Sequence, residues 1–214
     1  MPPEDAVVDL LGALAYGELS AFDHLADDAG LSPDLAGRAE MSSMAALEFE
    51  HYRRIAARLG ELGADPALAM APFVAALESY HAITKPSTWL ESVVKAYVGD
   101  GMAADFFREV ATFVDTETGD LIRDVLVEGG RAEFAVREVK AAVAQQPAVA
   151  GRLALWARRL VGEAISQTQH VLADRDSLML LFVQGTGDIT GVAALITRIT
   201  DRHAERMVAL GLDS

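Results

Sequence analysis

The chain has 214 residues, of which 51% are hydrophobic and 23% charged, with 7 prolines and no cysteine. Such a composition supports a large packed core and excludes intrinsic disorder, disulfides and zinc–thiolate sites, so any metal must be held by carboxylates or by the 5 histidines. The net charge of −14 disfavours non-specific nucleic-acid binding, and we expect a cytoplasmic protein because neither a membrane span nor a basic secretion signal is evident.

Helical periodicity predicts two long helices at the start of the chain. The first covers about 5–28, and Gly30 separates it from the second, which runs to about Leu62. A connection with several prolines follows, and it contains a short predicted helix at about 73–83.

The rest of the chain is also predicted to be helical. A third long helix starts at Ser87, a fourth covers about 115–144, a fifth follows Pro147, and the last covers about 192–210. Strand-like alternation is hard to find, so the sequence favours an all-α protein.

The order of the helices indicates the architecture. Two long helices, a long connection and two more long helices are typical of a four-helix bundle with one long crossover. We therefore predict one domain over 1–214, with the bundle at about 5–145 and additional helices at about 148–211. The apolar fraction and the final helix suggest a homodimer.

Charged side chains interrupt the apolar face of each bundle helix. Glu18 lies on the first, Glu48 and His51 on the second, Asp100 on the third and Glu128 on the fourth. A buried carboxylate must take up a proton, pair with a cation or bind a metal. Because the chain returns to about the same height within each helical pair, we expect the four carboxylates to meet in one layer.

Glu48 and His51 have the Glu-x-x-His spacing of carboxylate-bridged di-metal sites. Helical residues three apart share a face, so the glutamate can bridge two metals while the histidine binds one of them. Four carboxylates would nearly neutralise two divalent cations. The pattern predicts the following catalytic and metal-binding residues: Glu18, Glu48, His51, Asp100 and Glu128.

An arginine stands where a second Glu-x-x-His motif requires histidine, because Arg131 follows Glu128 by three positions. A guanidinium stays protonated and cannot bind a metal. Two interpretations remain: Arg131 points away and leaves one metal with an open position, or its charge replaces a metal and pairs with Glu128 or Asp100. His170 is a candidate substitute ligand, although a polar stripe facing a neighbouring helix is the simpler interpretation.

The chain resembles the ferritin-like superfamily, and within it the MiaE-like tRNA-(methylthio-isopentenyladenosine) hydroxylases. The resemblance covers about 5–145 and rests on Glu18, LEFEHY (47–52), VVKAYVGDGMAADFF (93–107) and EGGRAEF (128–134). Asp100, Asp105 and Phe107 keep the family spacing of an acid, a second acid and an aromatic residue. Aspartate at position 100 and arginine at position 131 depart from the family pattern. The segment LWARRLVGEA (155–164) lies beyond the matched part and indicates a divergent branch of the family.

The resemblance implies a non-haem di-iron hydroxylase that receives electrons from a separate reductase. The four carboxylates would hold the irons and His51 would cap one of them. The substrate would be modified tRNA or a small alkyl molecule; the acidic composition counts against tRNA, whose phosphates could contact only arginine clusters at 53–58 and 152–159. The alternative is a ferritin-like bundle with one metal or none that serves as a scaffold or partner-binding protein, and iron or manganese handling is a third interpretation.

Overall fold

The computed structural model describes residues 4–127, 130–187 and 189–212, and helices make up most of these ranges. The predicted all-α fold is confirmed. The helices are α1 (Glu4–Asp28), α2 (Leu35–Glu61), α3 (Pro66–Met70), α4 (Val74–Ile83), α5 (Trp89–Val110), α6 (Thr116–Val125), α7 (Arg131–Gln145), α8 (Val149–Asp174), α9 (Asp176–Thr186) and α10 (Ile189–Leu210). Across the described ranges, no helix is both long and apolar enough to traverse a bilayer.

Capping side chains determine where several helices begin. Asp34 accepts a hydrogen bond from the backbone N–H of Gly37 at 2.8 Å and starts α2, and Thr88 accepts one from Glu91 at 3.3 Å and starts α5. Both bonds satisfy an N–H group that has no partner within its helix. The third long helix therefore begins just after the predicted start at Ser87.

Two of the predicted long helices are divided in the structure. The helix predicted at 115–144 is α6 and α7, and Gly130, which precedes α7, has a φ of 83° in the left-handed region. Glycine is unfavourable inside a helix and readily adopts the left-handed conformation, which explains why the helix breaks before α7. The predicted ligand Glu128 lies outside the described residues. The helix after Pro147 is likewise two, α8 and α9, which meet at the extended residue Arg175.

Two apolar clusters occupy different levels of the helices. The first contains Trp89, Val94 and Phe134, and the second contains Leu10 and Ile55. On α2 the first cluster covers 41–45 and the second 55–59, and on α5 they cover 89–98 and 104–110.

The predicted polar residues lie between these clusters. Glu18 falls between the clusters on α1, Glu48 and His51 on α2, and Asp100 on α5. α1 packs along α2, and α5 packs against α1, α7, α8 and α10. This packing brings one level of three helices together, so the fold itself creates a polar layer inside an apolar bundle.

Candidate metal site

Three of the predicted ligands come together between α1 and α2. Glu18, Glu48 and His51 are 7%, 4% and 7% exposed. His51 Nδ1 lies 3.2 Å from Glu18 Oε2 and 3.3 Å from Glu48 Oε2. One donor atom of each residue lies within 4.8 Å of the other two. This spacing is near the roughly 3–4 Å expected between ligands of one ion that bind at about 2.1 Å.

Arg131, the first residue of α7, points into the same layer. Its Nη2 contacts Glu48 Oε1, and its Nη1 lies 3.5 Å from Asp100 Oδ2. The interpretation in which Arg131 points away is therefore wrong, and the guanidinium pairs with Asp100 as the other interpretation expected. The pairing with Glu48 was not expected. We call these five residues the polar layer: Glu18, Glu48, His51, Asp100 and Arg131.

Burial dominates the electrostatics of the carboxylates in the polar layer. It raises the pKa of Asp100 to about 7, against the opposing positive charge of Lys95. Burial also raises the pKa of Glu18 above its ordinary value, although contact with His51 and the charge of Arg131 favour the ionised form. In both cases the loss of solvation outweighs the neighbouring positive charges.

Among the described residues, the donor set fits one divalent cation better than two. Glu18, Glu48 and Asp100 carry three negative charges when ionised, and Arg131 carries one positive charge, so these four groups sum to about −2. One divalent ion neutralises that charge, whereas a second would leave an excess of about +2 beside a guanidinium that repels it. The site therefore departs from a two-metal centre at Arg131.

A comparison with known families identifies the fold. A family model described as the ferritin-like domain of actinomycetes matches residues 3–185. The chain belongs to this ferritin-like family. A search of curated proteins found no match. The family confirms the predicted ferritin-like fold, and α10 lies beyond the matched residues.

A cavity of about 420 Å³ adjoins the polar layer of this ferritin-like protein. All five residues of the layer contribute to its wall, and most of the remaining wall is apolar, with contributions from α1, α5, α8, α9 and α10. The volume lies in the range of small-molecule sites in proteins. Sequence reasoning missed this cavity because its wall comes from residues far apart in the chain, such as Leu14, Thr168 and Phe182.

Two other residues singled out in the sequence lie away from the site. Asp105, the second acid of the MiaE-like spacing, is 2% exposed and faces α10, where Arg206 Nη2 binds its Oδ2 at 2.5 Å. His170, the candidate substitute ligand, is exposed on α8 and does not line the cavity. Asp105 therefore stabilises the packing of helices, and the fold does not bring His170 to the polar layer as a substitute ligand.

Proposed function

We propose that this ferritin-like protein binds one divalent transition metal through Glu18, Glu48 and His51, and that it hydroxylates a small alkyl molecule held in the adjoining cavity. The observation that carries the proposal is the approach of His51 Nδ1 to both carboxylates, at 3.2 and 3.3 Å, in the wall of a mainly apolar cavity. Carboxylate and imidazole ligands suit iron and manganese.

The reaction needs partners beyond the chain. A bound iron or manganese would supply redox chemistry with dioxygen. Hydroxylation places one oxygen atom of O₂ in a C–H bond and releases the other as water, so it consumes two electrons and two protons for each turnover. We propose a separate reductase as the electron donor.

The chain's own residues would have distinct roles in this reaction. Glu18, Glu48 and His51 would hold the metal, while Arg131 fixes the free oxygen of Glu48 and supplies positive charge in place of a second metal. The apolar wall would exclude water and position the alkyl group. Asp100, held through Arg131, would keep the guanidinium in the layer.

The choice of substrate rests on the cavity and on charge. The resemblance to the MiaE-like hydroxylases supports hydroxylation as the reaction, and modified tRNA is the substrate it suggests. The apolar cavity and the net charge of −14 support a small alkyl molecule instead, because RNA is bound largely through its phosphates.

Elemental analysis tests the metal directly. We expect one equivalent of iron or manganese in protein that is purified anaerobically and reconstituted with the ion, and less than about a tenth of that in His51→Ala. Glu50→Gln is the matched control, because Glu50 is an exposed residue of the same helix that pairs with Arg53. Retention of a full equivalent by His51→Ala, or two equivalents in the unmodified protein, would contradict the proposal.

Substitution of Arg131 tests whether its positive charge takes the place of a second metal. Arg131→His removes the guanidinium and restores the second Glu-x-x-His motif, so we expect the metal content to rise from one equivalent towards two. Arg131→Lys retains the positive charge and should stay at one. If both variants stay at one equivalent while circular dichroism shows that they are folded, Arg131 does not take the place of a second metal.

A metal-free scaffold is the second candidate, and the ion pairs of the polar layer favour it. His51 contacts both Glu18 and Glu48, and Arg131 contacts both Glu48 and Asp100, so the layer's own side chains partner its carboxylates without a metal. In that case the protein would serve as a partner-binding bundle. Absence of metal from every reconstituted preparation would select this function over the first.

A further inference from the structure

Most of the cavity wall runs from the polar layer towards the second apolar cluster. Its wall follows α1 from Glu18 to Leu10, which is about 12 Å of helix, and α5 from Asp100 to Phe107, which is about 10 Å. Leu10 and Phe107 both pack in the second apolar cluster. Most of the apolar wall therefore lies between the polar layer and the second apolar cluster, and a smaller part, with Ala21, Tyr80 and Tyr97, lies on the other side of the layer.

Helix α10 packs at the end of the cavity that is remote from the polar layer, where the exposed Ile196 also lines it. Arg206 Nη2 binds Asp105 at 2.5 Å, and Arg198 Nη2 binds Glu109 at 2.6 Å, so α10 runs antiparallel to α5. Leu195 precedes Arg198 and therefore lies towards the C-terminal end of α5, away from Asp100. Leu195 lines the cavity.

Two further side chains belong to this end wall. Ile199 lines the cavity one turn after Leu195, and Phe182 of α9 lines it with its ring centroid 5.2 Å from that of Phe106. Leu195 is 2% exposed and Phe182 is 5% exposed, so both are packed in fixed positions. We call Phe182, Leu195 and Ile199 the end wall.

We infer that the cavity binds an uncharged, linear aliphatic molecule of about ten carbons, with its functional group at the polar layer and its tail against the end wall. An extended chain advances about 1.2 Å per bond, so the roughly 12 Å of wall along α1 between the polar layer and Leu10 matches roughly ten carbons. The end wall sets the chain length. The assignment of the polar layer as the reactive end rests on the function proposed above.

The charge of the polar layer is the reason why we infer an uncharged ligand for the cavity. Without a metal its ionised groups repel an anionic head, and with one divalent ion they are balanced, so a buried charged head would have no counter-charge. The apolar wall stabilises the chain by burial, at about a fourfold gain in affinity for each methylene group. Leu195 and Ile199 lie beyond residues 3–185, so α10 adds this part of the wall outside the region that the family model matches.

Displacement of the neutral dye Nile red by a series of 1-alkanols, from hexanol to tetradecanol, tests the inference. In the full-length protein we expect affinity to rise about fourfold per methylene, reach a maximum near decanol and fall beyond it. Leu195→Phe and Ile199→Phe should move the maximum to shorter alkanols and weaken decanol about tenfold. Leu195→Ala should move the maximum to longer alkanols. This variant keeps the test decisive if the larger phenylalanine side chains prevent folding.

Val208→Phe is the matched control, because Val208 is 62% exposed on the same helix and does not line the cavity. It should leave the series unchanged. Affinity without a maximum, or an equal displacement of the maximum by Val208→Phe, would overturn the inference.

Unmodified protein that has been stripped of metal with a chelator separates this inference from the proposed function. It should keep the dependence on chain length, because no side chain of the cavity wall has been changed. A maximum near decanol in a protein that binds no metal would end the proposed function and support the cavity inference, whereas metal binding without that maximum would do the reverse.

Discussion

Helix α5 presents acidic residues to two different surroundings. Asp100 faces the cavity and shares the guanidinium of Arg131 with Glu48. Asp105, little more than one turn further along, faces α10 and binds Arg206 at 2.5 Å. Arg108 adds an ion pair with Asp105 at 3.4 Å.

The balance of charge separates these two regions. At the α10 face, Asp105 and Glu109 are outnumbered by the arginines that contact them, which are Arg108, Arg198, Arg202 and Arg206. Hydrogen bonds from Arg198 hold the pKa of Glu109 below its ordinary value, whereas burial raises the pKa of Asp100 to about 7. Buried acids with enough arginine stabilise the packing of two helices, and buried acids in excess create a demand for a cation.

Neutralising Asp105 should have the largest effect on stability. Asp105→Asn leaves Arg206, a buried cation, without its counter-ion, and removal of one partner from a buried pair costs about 3–5 kcal/mol. Guanidinium chloride unfolding at pH 7 measures the change. Asp120→Asn, in the exposed pair with Arg123, is the control and should change the unfolding free energy by less than about 1 kcal/mol. Equal effects of the two substitutions would show that the α10 face does not stabilise the fold.

Two half-buried histidines extend the comparison from acids to bases. The rings of His24 and His81 stack with centroids 3.9 Å apart. Burial lowers the pKa of His81 to about 2, and the positive charge of Lys95 and the neighbouring His24 add to the effect. The unfolded chain has the ordinary value of about 6.5, so the stability that His81 contributes is present above that pH and is lost as the pH falls.

We expect the unfolding free energy to decrease by about 2 kcal/mol between pH 7 and pH 5 through His81. His81→Gln should remove most of that slope, and His170→Gln, at an exposed position of α8, should keep it. Denaturant unfolding at several pH values gives the slopes. Parallel slopes for the His81 variant and the unmodified protein would mean that His81 is solvated in the folded state.

The sequence predicted the parts of the fold that local chemistry determines. Periodicity located the long helices, and the cap at Asp34 follows the predicted stop by Gly30. The meeting of Glu18, Glu48 and His51 could also be predicted, because spacing along two antiparallel helices determines which residues share a level.

Other features depend on contacts between distant residues and could not be predicted. The direction of Arg131 depends on the break before α7, and a glycine pair in sequence does not reveal whether a helix will bend or end. The pairing of Asp105 with Arg206 joins α5 to α10, and no periodicity relates those positions. The cavity is a space that packing leaves open, and its wall has no local signature.

Removal of a carboxylate from the polar layer, where acids are in excess, should have the smallest effect on the unfolding free energy. It also gives the sharpest contrast with Asp105→Asn. In metal-free protein, Glu18→Gln removes one of three clustered carboxylates while the amide oxygen can still accept a hydrogen bond from His51. We therefore expect the unfolding free energy to stay level or rise by about 1 kcal/mol, in the direction opposite to Asp105→Asn. Glu50→Gln should have no effect, because that residue is exposed on α2.

The same variant should not gain stability when metal is added, because a carboxylate ligand has been replaced by a weaker amide. Unmodified protein at a metal concentration of about 100 times Kd should gain about 2.7 kcal/mol. A loss of more than about 2 kcal/mol by metal-free Glu18→Gln would instead assign Glu18 to the same structural role as Asp105. The polar layer would then be a second packing contact, in which arginine and histidine balance the acids. Its charge would not require a bound cation.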